Sequence, residues 1–273
     1  MRSLTVPVIA ALALLAGCQP SSQSPAGGNG AASNTPAPIP SQITGTVSLR
    51  APMEIGPGAK LDVRLVDVAQ PQVPIAEQTI DENTQPPYTF TLNLDPSKID
   101  PSRTYVVNVT LTDGDRHFLP ALNSPVLTHK SGNTATVVLN PEPTPAEKLT
   151  DAYDKLKRDI GGMKKVQGTY TTEDSSVGWD AFVESGQVRF VRVKTDYDKG
   201  GGSYVSYAFK DGKPMYVVER GGATVGWDDN GNVLVSKQAG SEVAADKVTA
   251  LHDAAEKAFQ MAQQQADAQK KRK

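Results

Sequence analysis

This sequence has little of what usually betrays a chemical activity. It holds one cysteine, Cys18, in 273 residues. A lone cysteine gives no disulfide framework, so an exported chain of this kind must be held by its core and its hydrogen bonds. The three histidines, His117, His129 and His252, stand far apart and form no HExxH or other zinc spacing. There is no G-x-S-x-G elbow, no thiol nucleophile apart from Cys18, and no Walker loop. Neither sign of charge dominates: 28 basic against 30 acidic residues give a formal charge of −2. That balance excludes a general nucleic-acid binder. These absences lead us to expect no enzyme, no cofactor and no metal site, with only general acid–base chemistry by scattered carboxylates left open.

What is present begins at the N-terminus. Arg2 is followed by an apolar run from Leu4 to Leu15 and then by Leu14-Leu15-Ala16-Gly17-Cys18. About 20 apolar residues are needed to cross a bilayer, and this run is shorter and broken by Pro7. A charged start, an apolar centre and small residues before a cleavage point are signal-peptide anatomy, and the ending resembles a bacterial lipobox. Residues 1–17 therefore read as a lipoprotein signal peptide. Cys18 reads as the lipidation site, carrying acyl chains such as palmitate. Each buried methylene contributes about 0.8 kcal/mol, so two or three chains make a lasting anchor. Gln19 follows the cysteine, where an inner-membrane retention signal resembles Asp, so the expected location is the periplasmic side of the outer membrane. Removal of Arg2 with the signal shifts the formal charge from −2 to −3.

Residues 18–41 hold the lipidated cysteine and a Ser, Gly, Ala, Asn, Gln and Pro segment with almost nothing to bury. Such composition predicts a disordered tether, with a flexible-coil reach of about 25 Å. Residues 42–140 then alternate with period two. Tyr88, Phe90, Leu92 and Leu94 point one way, Thr89, Thr91 and Asn93 the other, and Leu61, Val63 and Leu65 alternate with Asp62 and Arg64. Gly56-Pro57-Gly58, Gln85-Pro86-Pro87 and Asp113-Gly114-Asp115 punctuate the runs. About seven half-buried strands in this length predict an immunoglobulin-like antiparallel β-sandwich.

Several blocks in this region carry a resemblance. Ile43-Thr44-Gly45-Thr46-Val47, Pro57 to Val68, Ile75-Ala76-Glu77-Gln78, Tyr88-Thr89-Phe90, Ile99 to Tyr105 and Pro125-Val126-Leu127-Thr128 are similar to the YbaY family of lipoproteins. That family is grouped with the YscW-type lipoprotein chaperones, or pilotins, of type III secretion. The resemblance implies a β-sandwich in the cell envelope and a pilotin-like role. Pilotins of this group help deliver a secretin ring to the outer membrane. It implies no active-site residue.

Residues 141–262 read as a helix–meander–helix domain. Thr144-Pro145-Ala146-Glu147 is a capping box with proline at the first helical position. Leu149, Ala152, Tyr153, Leu156 and Ile160 share one face of the helix it opens, and Gly161-Gly162 ends it. Glu184-Ser185-Gly186-Gln187, Lys210-Asp211-Gly212-Lys213 and Asp229-Asn230-Gly231-Asn232 then predict hairpins, and so an antiparallel meander of about six strands. Val177-Gly178-Trp179-Asp180 recurs as Val225-Gly226-Trp227-Asp228, which suggests a duplicated hairpin unit. The run Tyr216-Val217-Val218 breaks alternation, so both faces of the sheet are expected to be partly covered. Val248, Leu251, Ala255, Ala258, Phe259 and Ala262 form the apolar stripe of a C-terminal helix, and 263–273 read as a polar, basic tail.

The expected fold class is thus mainly β: a sandwich, then an α+β antiparallel meander flanked by two helices. Trp179, Trp227, Tyr204, Tyr207 and Tyr216 are the binding candidates. On one exposed sheet face they would stack on glycan or grip a peptide; buried, they are the core of a small sheet. Lys199-Gly200-Gly201-Gly202-Ser203 reads as a hairpin loop, and Asp113-Gly114-Asp115 as a turn beside His117 with too few ligands for calcium. The function expected is a non-catalytic, outer-membrane-anchored binding or chaperone-like protein. Its partner would be another envelope protein, taken at a sandwich edge or groove. The alternative is a glycan-facing protein such as a peptidoglycan binder or lysozyme inhibitor.

Overall fold

The computed structural model describes residues 38–81 and 85–271, so the expected signal peptide, Cys18 and nearly all of the tether lie outside the described residues. Ile39–Lys273 forms one compact unit that holds two separate β-sheets. Among the described residues no helix is long and apolar enough to cross a membrane.

The first sheet is built from β1 (Gln42–Leu49), β2 (Lys60–Asp67), β3 (Gln70–Ile80), β4 (Tyr88–Asn93), β5 (Tyr105–Asp113), β6 (Arg116–Pro120), β7 (Ser124–Val126) and β8 (Thr134–Pro141). Its order is β3-β2-β5-β6-β8-β1-β4, with β7 also paired to β5. Alternation sets the burial: on β4, Tyr88, Phe90 and Leu92 are buried while Thr89, Thr91 and Asn93 are exposed. The path curls around one core that includes Ile43, Val63, Leu65, Phe90, Val107, Phe118 and Leu139. Its end strands approach each other, the Thr91 amide donating to Gln78 Oε1 at 3.1 Å. Gly45 on β1 makes room for a ring, since a Cβ there would stand 2.5 Å from Phe90 Cζ.

The sandwich differs from the expectation in one pairing. β1 lies parallel to β8, from Thr44 beside Thr134 to Leu49 beside Leu139; every other pair in this sheet is antiparallel. A parallel pair needs a long return path, and here the whole sandwich lies between its first and last strands. β3 is an edge strand, which explains how it accommodates Pro71 and Pro74.

The second part opens with α1 (Pro145–Asp159). The capping box forms as expected: Thr144 Oγ1 accepts from the Glu147 amide at 3.2 Å, and Glu147 Oε2 accepts from the Thr144 amide at 2.9 Å. Seven strands follow: β9 (Lys164–Thr171), β10 (Ser175–Glu184), β11 (Gln187–Tyr197), β12 (Gly202–Lys210), β13 (Lys213–Glu219), β14 (Thr224–Trp227) and β15 (Val233–Lys237). They pair in sequence order, all antiparallel, with β9 and β15 at the edges. Ser185-Gly186 and Asp211-Gly212 turn two hairpins with both residues at positive φ (52° and 89°; 51° and 80°), as two-residue hairpins require.

Helices cover both faces of this meander. Tyr153, Leu156 and Ile160 of α1 pack with Phe182, Phe190, Ala208 and Tyr216. α2 (Ala245–Lys271) lays Leu251, Ala255, Ala258 and Ala262 on the opposite face, against Ala181, Val191, Phe209, Val217 and Val225. Small alanines let the helix lie close to the sheet. The polar tail expected over 263–273 is corrected here, because α2 runs on to Lys271 with Ala266 buried. Ala266, four residues after Ala262, extends the stripe by one more turn. Gln263 is also anchored: its Oε1 accepts from the Val188 amide at 2.9 Å and its Nε2 donates to the Gly186 carbonyl at 3.0 Å.

Candidate functional site

The five aromatic candidates do not share one face. Trp227, 4% exposed, belongs to the core under α2, with His252 of that helix edge-on to it at 5.2 Å. Tyr207 lies in the same core, and burial pushes its phenol up to about 12. Tyr216 is on the other face, stacked on Tyr153 of α1 at 4.6 Å, its hydroxyl 3.2 Å from Thr150 Oγ1. Alternation separates them: Tyr216 and Val217 point to opposite faces, and each face has its own helix. Of the two readings open for them, a single exposed stacking platform is not formed. The rings of Trp179, Trp227, Tyr207 and Tyr216 fill two cores, and Tyr204 is half-buried outside both.

Trp179 and Tyr204 come together only as borders of one cleft, their side chains leaving opposite faces of the sheet. Both line a cleft of about 530 Å³ on the α1 side of the sheet, with Gln167, Gly178, Asp180 and Arg192. Gly178 leaves its floor open, since a Cβ there would meet nothing within 4 Å. The indole itself is turned to the core and lies over Gly168, where a Cβ would stand 2.5 Å from Trp179 Cζ2. Arg192 spreads its guanidinium over Phe182 and Phe190 at 5.3 and 5.7 Å, closing the end of the α1 core. Lys165 pairs with Asp180 and Lys194 with Asp196, each at 2.9 Å, so Arg192 is left as the cleft's cation without an ion-pair partner among the described residues. The two Val-Gly-Trp-Asp copies are alike in placing Trp inward towards the α2 face. Their aspartates differ: Asp180 pairs with Lys165, whereas Asp228 organises a turn by accepting from the Asn230 and Asn232 amides and from Asn232 Nδ2. The Asn232 contacts, first among these, lower the Asp228 carboxyl.

The sandwich carries a more apolar recess that sequence reasoning did not find. It measures about 520 Å³ and is lined by Leu49, Pro52, Met53, Gln85, Pro86 and Pro87, among others. Gln85 fixes its wall: its Oε1 accepts from the Ile55 amide at 2.9 Å and its Nε2 donates to the Ile55 carbonyl at 2.8 Å. Prolines carry no N–H, so much of the lining has no backbone donor, and Met53 is 41% exposed. A surface with few donors and an adaptable thioether suits an apolar side chain of a partner. The signal was present in sequence only as Gln85-Pro86-Pro87, read there as a strand breaker.

Charged groups near the turns are structural. Asp113 accepts from the Gly56 amide at 3.1 Å in the turn between β5 and β6, and His117 is exposed on β6 with Nδ1 3.2 Å from Thr112 Oγ1. Asp67, at the end of β2, is 6% exposed and accepts from the Ala69 amide at 2.9 Å. That bond, then the hydrogen bond from Arg103, lowers its carboxyl. The Asp67–Arg103 pair is thus half-buried. On α2, His252, Asp253 and Glu256 bring ligand atoms within 4.8 Å of one another, but the two carboxylates are exposed.

Comparison with known proteins finds a family likeness over the sandwich. Residues 39–139 match the family described as type III secretion system lipoprotein chaperone (YscW). The match carries that name and not the narrower YbaY name suggested by the sequence blocks. Among solved structures, an alternative pilotin from the type II secretion system of Vibrio cholerae is 27% identical. It covers 37% of this chain and 96% of its own, with a TM-score of 0.35. No curated protein matches the chain.

Proposed function

We propose that this protein is a non-catalytic envelope lipoprotein that binds a segment of another envelope protein, in the manner of a chaperone or pilotin. The observation that carries the reading is the family match over 39–139, which coincides with the whole sandwich. The apolar recess at Leu49, Met53, Pro86 and Pro87 supplies a place on that sandwich for an apolar anchor of the partner. In this reading Cys18 bears the lipid, the protein faces the periplasm from the outer membrane, and the partner is an envelope component such as a secretin.

Two measurements test the reading. Growth with an alkyne palmitate should label the parent protein and leave Cys18→Ser unlabelled; an unlabelled parent removes the anchor. A photocrosslinker placed at Met53 in native membranes should give a reproducible adduct with one envelope protein, and the same probe at exposed Lys130 should not. No adduct at Met53, or the same adducts at both positions, overturns the binding role assigned to the recess.

A further inference from the structure

The strongest unexplained surface lies outside the stretch matched by the family, at the edge strand β15. A groove of about 910 Å³ runs along it, between the first turns of α1 and the segment leading into α2. Its floor is the strand itself, Val233 to Val235, and Val243 and Val248 add to an apolar wall. Among the described residues β15 pairs with β14 and with no other strand. The direction of its free groups follows from its neighbour. The Gln238 amide and carbonyl bond Ser241 at 2.8 and 2.9 Å, on the side away from β14. Backbone direction repeats every two residues along a strand, so the N–H and C=O of Ser236 turn outward as well. Among the described residues no hydrogen bond reaches them; the Val243 amide bonds the Ser236 side chain instead, at 2.9 Å.

Exposed edges of this kind invite another strand unless they are blunted. Here Lys237 stands on the edge, the Gln238–Ser241 turn closes its C-terminal end and a bulge shifts its register between Val233 and Val235, which leaves Ser236 as the open rung. The rim is otherwise acidic. Glu147 is already occupied by Arg116 at 2.6 Å. Asp151 and Glu242 also line the groove, are exposed, and have no cationic partner among the described residues. A second copy of this chain fits poorly, because an antiparallel β15–β15 pair about a two-fold axis sets one acidic rim against its twin.

We infer that this groove binds an extended segment of a partner protein that carries lysine or arginine. The segment adds to β15 as a further strand, sets its basic side chains against Asp151 and Glu242, and seats its apolar ones between the two helices. The site is independent of the sandwich recess.

The test uses the full mature chain in detergent and a fluorescein-labelled octapeptide of alternating valine and lysine, followed by anisotropy at low salt. Saturable binding is expected. The double variant Asp151→Lys, Glu242→Lys should weaken it by about tenfold or more while leaving the circular dichroism unchanged. A peptide N-methylated at alternate amides should not bind, because it cannot complete a ladder. Equal binding by the double variant, by the N-methylated peptide or by a valine–glutamate analogue overturns the proposal. So does the absence of saturable binding, or a dimer of the chain in sedimentation velocity that the peptide disperses, which would make the occupant a second copy. Crosslinking at Met53 should be unchanged in the double variant, so failure here leaves the sandwich reading standing and the reverse also holds.

Discussion

Trp179 is the residue on which a structural and a ligand-binding role diverge most sharply. Its ring is 7% exposed and packed flat on Gly168 of β9, with which it is directly paired across the strands. Truncating a core aromatic to alanine costs about 3–5 kcal/mol. At about 2–4 °C per kcal/mol for a unit of this size, Trp179→Ala should lower the melting temperature by roughly 6–20 °C. Gly168→Ala tests the same contact from the other side. The added methyl would stand 2.5 Å from the indole, an overpacking that costs about 1–3 kcal/mol. Removing a strand glycine recovers about 0.5–1 kcal/mol of that. In a Trp179→Leu background the clash is gone, and Gly168→Ala should become neutral or stabilising. Thermal melts of the four variants by circular dichroism give the coupling, expected at about 1–3 kcal/mol. The reasoning is refuted if Trp179→Ala melts with the parent, or if Gly168→Ala costs the same in both backgrounds. Retention on purified peptidoglycan that is lost in Trp179→Leu, with stability intact, would restore the glycan reading.

Three further outcomes follow from single groups. Glu147 is held down to about 2, chiefly by its hydrogen bond from Arg116, against an ordinary 4.5. Its contribution is therefore complete above pH 4.5 and lost as pH falls towards 2, so Glu147→Gln should flatten the acid limb of melting temperature against pH relative to the parent. Tyr207 is shifted the other way, from 10 to about 12 by burial; stability should fall as pH rises from 10 to 12, and Tyr207→Phe should lose that component in urea titrations across the same range. Gln263→Ala should cost about 1–3 kcal/mol, because it leaves the Val188 amide without its acceptor; equilibrium unfolding that matches the parent would return 263–273 to the status of a tail.

Most of the architecture was legible in local pattern. Tyr88 to Leu94 alternates without interruption and forms β4, Thr144 to Glu147 caps α1, and Asp211-Gly212 turns a hairpin. Each of these is decided within a few residues. What was not legible depends on distant partners. β3 is rich in proline and polar residues and becomes a strand because β2 offers it a ladder at the sheet edge. The parallel return of β8 beside β1 has no local signature. The last turns of α2 contain Gln263-Gln264-Gln265, which reads as solvated until Val188 and Gly186 are placed beside Gln263. Aromatic candidates mislead for the same reason: Trp227 and Tyr216 look equivalent in sequence, and only the two helices decide which face covers each.

The boundary between sandwich and meander yields a prediction about independence. The sandwich core and the two meander cores have no residue in common. What joins the parts is polar: the Glu142 amide donates to the His117 carbonyl at 2.7 Å, and Arg116 reaches both the Glu142 carbonyl and Glu147. Partly exposed ion pairs contribute little to stability, whereas burial of apolar surface dominates it. A fragment spanning 39–143 keeps every strand of the first sheet and all of its core, and its length is enough to bury a core without cross-links. It should melt cooperatively, and close to the sandwich transition of the full chain. A fragment that is unfolded by circular dichroism would mean that α1 and the meander complete the sandwich, and that a binding role confined to 39–139 is the wrong unit of function.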